Sequence, residues 1–295
     1  MISRLRAKEI QSLAREKLTE YKRMHLPVSP QDFARQLEIL VQPFTPSGED
    51  ISGFLMRVGE SFGIGYTTAI RSQGFQNFTV AHELGHYFID GHGTALLASG
   101  AHYSRSGFIS KDSFEVEADI FATELLMPWI LIEPLIRTSA GGFSTIKAIA
   151  DACQSSLVAS AIRYAEITKE CVAVVVSHMG QIEFMTASDA FKQIKGINWL
   201  KKKDLLPMGT ASHRFAGDTK WIQSCDVVEI KCQLFEWFPE TDRRTVEEEV
   251  VGLGSYGRLL TVLVTEDDEC EDDDDETGSD DYIDRWKHGF FRGKK

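Results

Sequence analysis

Apolar and polar positions in the first 165 residues follow a helical period, interrupted once by short β-rich runs. Over residues 3–23, Leu5, Leu13, Ala14 and Leu18 recur among alternating charges, which predicts an amphipathic helix. LPVSP at 26–30 breaks it, and Ser29 ahead of Pro30 predicts a capped helix over 30–37. LEILVQPF, ISGFLMRV and SFGIGYTT read as strands, with Gly59-Glu60 turning the second into the third as a hairpin. From 77 to 90 the helical period returns, with Asn77 as cap, Phe78, Ala81, Gly85 and Phe88 along one face, and Asp90-Gly91 as the stop. Another helix is predicted over 113–127. It starts at Asp112 or Ser113, carries Phe114, Ala118, Phe121, Ala122 and Leu125, and ends before Pro128. Residues 144–166 read as two short helices joined near Gln154-Ser155. Beyond 168 the runs CVAVVVS, QIEFMTA, VVEIKCQLF and GRLLTVLV predict an antiparallel sheet in a second domain.

Charge changes this picture in one place. The chain carries a formal −12, and residues 266–281 hold 12 acidic residues and no Lys or Arg, so the remainder is balanced. An electrostatic nucleic-acid binder needs a net positive face, so direct nucleic-acid binding is not expected. The acidic run cannot bury apolar surface and is expected to be a disordered tail, closing on the basic and aromatic IDRWKHGFFRGKK. No apolar run approaches the ~20 residues of a membrane span, and the N-terminus has no signal core. The five cysteines (153, 171, 225, 232 and 270) lack CxxC spacing and read as reduced thiols, so a cytoplasmic location is expected.

The chemistry concentrates at residues 82–86, His-Glu-Leu-Gly-His. On a helix, positions i and i+4 share a face, so His82 and His86 can turn ring nitrogens to one ion, with Glu83 beside them as a base toward water rather than a ligand. Zinc in a hydrolase takes three protein ligands, so a third is required. Glu115 and Asp119 stand at i, i+4 on the next helix. Glu115 would ligate while Asp119 accepts from the free nitrogen of a ligating histidine and fixes its tautomer. His92 is the rival, six residues past His86 at metzincin spacing, but those sites need Gly where this chain has Ile89. Glu117 points about 200° from Glu115 on a helix, which predicts that it faces water. Candidates to stabilise an oxyanion are His92, His102, Tyr103 and Tyr66.

FTVAHELGHYFIDGH followed by EVEADIFATELLMP resembles the ImmA/IrrE-type metallopeptidases, and VSPQDFARQLEILV with ISGFLMRV and FGIGYTT matches that family's layout ahead of the zinc helix. The resemblance spans roughly residues 25–165. It implies a compact gluzincin-like peptidase domain, small sheet plus helices bearing HExxH; with the strand-like runs beyond 168, the expected fold class is α+β, that domain followed by an α/β C-terminal domain with an antiparallel sheet. It implies one Zn2+ per chain on His82, His86 and Glu115, with Glu83 as catalytic base. The implied activity is that of a zinc endopeptidase cutting a protein substrate, a helix-turn-helix repressor in stress or mobile-element control. Some members carry a GAF-like sensor after the peptidase. The expected domains are 1–167, 168–265 (α+β, a sensor or partner-binding module) and the tail 266–295. The alternative is a non-hydrolytic zinc-containing regulator that acts by binding. Two weaker signals read structurally. LVASAIR offers only Ser160 and Arg163 to a DNA groove, which favours packing, and Lys201-Lys202-Lys203 reads as a solvated turn.

Overall fold

The computed structural model describes residues 2–45, 51–96, 100–105, 112–254 and 257–265. The acidic tail, its basic-aromatic end and Cys270 lie outside the described residues. Among the described residues two compact units divide the chain, one of residues 2–137 with 148–156, the other of 138–147 with 157–265.

In the first unit, α1 (Arg4–Glu20) starts at Ser3, whose hydroxyl accepts from the Arg6 amide. Its buried face is Ala7, Ile10, Ala14 and Leu18. Leu5, part of the expected stripe, is 70% exposed, because the true seam runs through the smaller Ala7 and Ala14. A short α2 (Pro30–Gln36) is capped by Ser29 as expected. Strands β1 (Leu40–Phe44), β2 (Ile51–Val58) and β3 (Ser61–Thr67) follow, and Gly59, at φ 63°, makes the tight β2–β3 hairpin. Next come α3 (Gln73–Phe88), α4 (His92–Leu96), β4 (Ala101–Arg105) and α5 (Ser113–Leu126), the last capped by Asp112. The sheet order is β1-β3-β2-β4, with β1 parallel to β3 and the other pairs antiparallel.

Helix α3 begins earlier than expected. Ser72 caps it, accepting from the Phe75 amide, so Asn77 lies inside the helix, where its side-chain oxygen accepts from Gln73 and Gln31. Helix α5 packs on both α3 and α1. Across the α1 contact, Arg6 reaches Glu117 at 2.7 Å and Arg15 reaches Glu124 at 2.8 Å.

Three further helices follow: α6 (Trp129–Thr138), α7 (Gly142–Cys153) and α8 (Leu157–Ile167), with Gln154 at φ 53° in the turn between the last two. Helix α6 was not visible in the sequence, because Pro134 sits inside it. Ser160 and Arg163 of α8 are both buried (0% and 1%), as packing requires.

The second unit is built on β5 (Val172–His178), β6 (Gln181–Ala187), β7 (Val227–Gln233), β8 (Thr245–Gly252) and β9 (Arg258–Thr265). Their order is β6-β5-β9-β8-β7, every neighbour antiparallel. Trp237 and Phe238 pack in its core with Cys171, Val175, Phe191 and Leu206. Lys201, Lys202 and Lys203 are exposed.

Strand β8 is an addition to the four expected strands. Its run Glu247-Glu248-Glu249 looks solvated, yet only Glu247 is exposed. The Glu248 carboxylate accepts from the Ala211 and Ser212 amides and the Ser212 hydroxyl at 3.0, 2.7 and 2.7 Å. Glu249 accepts from the Phe143 amide at 2.7 Å.

Burial, with Glu229, Glu247 and Glu170 nearby, pushes the Glu249 carboxyl up to about 7, against the Phe143 hydrogen bond. A carboxyl raised in the folded state binds its proton there more tightly than in the unfolded chain. Its ionisation therefore costs stability as pH rises from the unfolded value, about 4.3, through about 7. Glu249→Gln keeps an acceptor for Phe143 and removes that charge. Thermal unfolding across pH should show the variant matching the parent at pH 4 and exceeding it by about 1–3 kcal/mol at pH 8. A constant difference across that range would mean that Glu249 ionises freely.

Candidate metal centre

The contact between α3 and α5 is unusually close. A Cβ built on Gly85 would lie 3.0 Å from Ala118 Cα and 3.3 Å from Ala118 Cβ. Only glycine on one helix and a small residue on the other permit that approach. It brings one i, i+4 pair, His82 and His86, against another, Glu115 and Asp119.

Three donor atoms converge there. His82 Nε2 and His86 Nε2 are 3.0 Å apart, and Glu115 comes within 3.4 Å of the first and 3.3 Å of the second. The two Glu115 contacts are made by different oxygens, Oε2 toward His82 and Oε1 toward His86, and separations near the ~3.3 Å ligand–ligand edge of a tetrahedral zinc suit a metal gripped by both rings and that carboxylate. Among the described residues, His82, His86 and Glu115 are a group whose donors all lie within 4.8 Å of one another. Both histidines are fully buried.

Each of these groups has an assigned partner behind it. Asp119 accepts from His82 Nδ1 at 2.8 Å. His92, also fully buried, sets Nδ1 3.0 Å from His86 Nδ1, on the side of that ring away from the triangle, and Nε2 3.3 Å from Glu117. Glu117 therefore does not face water. Its outward direction on α5 is toward α1, where Arg6 donates to both its oxygens at 3.1 and 2.7 Å. His102 Nε2 lies 2.9 Å from Glu115 Oε1. Tyr103, the next residue on β4, points the other way, is 57% exposed and packs on Phe54. Tyr66 is half-buried on β3.

Glu83 is fully buried beside the triangle. The Ser104 hydroxyl donates to its Oε1 at 2.6 Å, while its Oε2 has no hydrogen-bond partner among the described residues. A buried carboxylate oxygen without a donor is costly, and it marks where a further ligand or water belongs. Gly53 makes room for it, since a Cβ there would come 3.0 Å from Glu83 Oε1 and 2.4 Å from Thr79 Cγ2. Ser104 was absent from the sequence reading. Its signal was the alternation of β4, which puts His102 and Ser104 on one face.

The electrostatics follow from burial opposed by neighbours. Burial pushes Glu83 up to about 7, with His82 and the Ser104 hydrogen bond pulling it down. Burial pushes His86 down to about 3, so its ring is neutral, the form that ligates. Burial also works against a charged His82, but Asp119 and Glu115 outweigh it and hold its pKa well above the usual value. Burial opposes the Glu115 carboxylate too, yet His102, His82 and His86 hold its pKa far below the ordinary range. A cation entering the triangle would take the place of the His82 proton, so metal binding should weaken as pH falls.

Residues 41–160 match the family model described as the IrrE N-terminal-like domain, a peptidase family. The match supports the resemblance of this stretch to the ImmA/IrrE-type group and suggests a metallopeptidase. No curated protein matches the chain in sequence. A solved structure described as a Mycobacterium tuberculosis transcriptional regulator superposes with a TM-score of 0.55 over 87% of this chain and 88% of its own, at 12% identity. At that identity the likeness is one of fold. Among the described residues, no helix is long and apolar enough to cross a membrane.

The Gly85–Ala118 contact carries a test. Gly85→Ala should lower stability by about 1–3 kcal/mol through overpacking, and zinc affinity should fall with it. Gly217→Ala, where an added Cβ meets nothing within 4 Å, should leave both unchanged. Calorimetry of the apo chain and chelator competition read the two effects separately. Wild-type zinc affinity in Gly85→Ala would show that the helix spacing does not set the site.

Proposed function

We propose, starting from the match of residues 41–160 to the IrrE N-terminal-like domain, that the protein is a zinc-dependent endopeptidase acting on a protein substrate, a helix-turn-helix repressor. His82, His86 and Glu115 would hold the metal, Asp119 would fix the His82 tautomer, and Glu83 would be the catalytic base. The observation that carries this reading is the buried Glu83 carboxylate, with one oxygen unpartnered among the described residues, beside the converging donors of His82, His86 and Glu115. A purely structural zinc site has no use for such a base.

Zinc bound at this triangle would acidify water and polarise the scissile carbonyl. Glu83, raised to about 7, is matched to accepting a proton near neutral pH and returning it to the leaving amine. Ser104 holds one Glu83 oxygen and leaves the other for that transfer. His102, on the Glu115 carboxylate, is the oxyanion candidate on the β4 side. The repressor as substrate rests on the family resemblance, and the regulator title of the structural neighbour agrees with that setting.

The test combines metal content and cleavage. Plasma mass spectrometry should find about one zinc per wild-type chain and per Glu83→Gln chain, and none in Glu115→Ala. Incubation with the repressor-like protein encoded beside the gene should give cleavage by wild type and a loss of about 100–10,000-fold in Glu83→Gln. Wild-type turnover by Glu83→Gln would sink the peptidase assignment.

A further inference from the structure

We propose that His92, held by Glu117 and Arg6, is a positioning residue that fixes the His86 ring so that its Nε2 lone pair faces the metal site. The inference rests on the reading of His82, His86 and Glu115 as ligands. It assigns His92, Glu117 and Arg6 a role that lies outside the ligand set.

The proton order follows from the chemistry of each contact. An ionised carboxylate only accepts, so the His92 nitrogen at 3.3 Å from Glu117, Nε2, carries a proton. A neutral His92 then has Nδ1 as an acceptor, 3.0 Å from His86 Nδ1. That His86 nitrogen must donate, which leaves His86 Nε2 bare, and Nε2 is the atom in the triangle with His82 and Glu115. The reverse order would put a proton on His86 Nε2 and close it to a cation. Arg6 secures the outer end. Its two contacts to Glu117 hold that carboxylate turned toward His92. Both His92 nitrogens are engaged away from the triangle, so this histidine has no donor left for the metal. His82 reaches the same outcome through Asp119. The two rings are set from opposite sides by different groups, a carboxylate directly and a carboxylate through a second imidazole.

The experiment uses the full chain, with zinc affinity read by competition with a chromophoric chelator and coordination read from the visible spectrum of the cobalt(II) form. His92→Phe should bind one zinc about 10–100-fold more weakly, with a shifted cobalt spectrum. His92→Asn sets an acceptor oxygen where Nδ1 stood and should recover most of the affinity and the parent spectrum. Arg6→Gln, altered at the exposed end of the chain, should weaken zinc several-fold. It reports on the same path should His92→Phe not fold. Glu115→Ala serves as the reference for a lost ligand. Parent affinity and spectrum in His92→Phe and Arg6→Gln, with zinc lost in Glu115→Ala, would overturn the positioning role and leave the ligand set intact. Zinc retained in Glu115→Ala would overturn the ligand reading itself. Complete zinc loss in both His92 variants, with a cobalt spectrum like that of Glu115→Ala, would make His92 a ligand and end the proposal.

Discussion

The first unit depends on how closely two helices approach at Gly85 and Ala118. A side chain at position 85 would push α5 back by a few tenths of an ångström, a distance comparable with the tolerance of a metal–ligand bond. Because the backbones nearly touch, two i, i+4 pairs face each other with no side chain between them. Three donors then fall within 4.8 Å of one another without any loop having to be held in place. Rigid helices set the geometry, and the sheet beneath presses Gly53 against Glu83 to complete it.

That closeness has an electrostatic cost, which the neighbouring groups distribute. Glu115, Asp119, Glu117 and Glu124 all lie on one face or the other of a single helix, at most half-exposed. Left alone they would repel one another and resist burial. Histidines answer those on the α3 side, and Arg6 and Arg15 those on the α1 side. Beside them Glu83, on α3, has an oxygen with no answering group among the described residues, and burial raises its carboxyl to about 7. The acidic side chains of α5 are thus all answered, and the unanswered oxygen lies across from them on α3.

Much of this was legible in the sequence because helical spacing reports which residues share a face. His82 with His86, Glu115 with Asp119, the caps Ser29 and Asp112, and the Gly59 hairpin all follow from local rules. Glu117 was misread for an instructive reason. Its direction was right, but a residue pointing away from one partner of a buried helix points at another partner, not at solvent. Asn77 looked like a cap because Ser72 lies behind a glycine and two glutamines, which blur the start of α3. Strand β8 escaped because three consecutive glutamates suggest water, whereas Glu248 is satisfied by amides 36 and 37 residues away in the chain. Ser104 acts through a contact 21 residues distant, and no spacing rule reaches that far.

Helix α1 precedes the segment by which the family is matched, 41–160, yet its apolar seam and two arginines finish α5. A fragment cut at the ends of that segment would bare the surface under Ala7, Ile10, Ala14 and Leu18 and strand two inward-facing carboxylates, Glu117 and Glu124, without their cations. The stretch that sequence comparison picks out is therefore shorter than the piece that must be made in one length. Excising the recognisable part would yield a polypeptide whose candidate metal site lacks its outer wall.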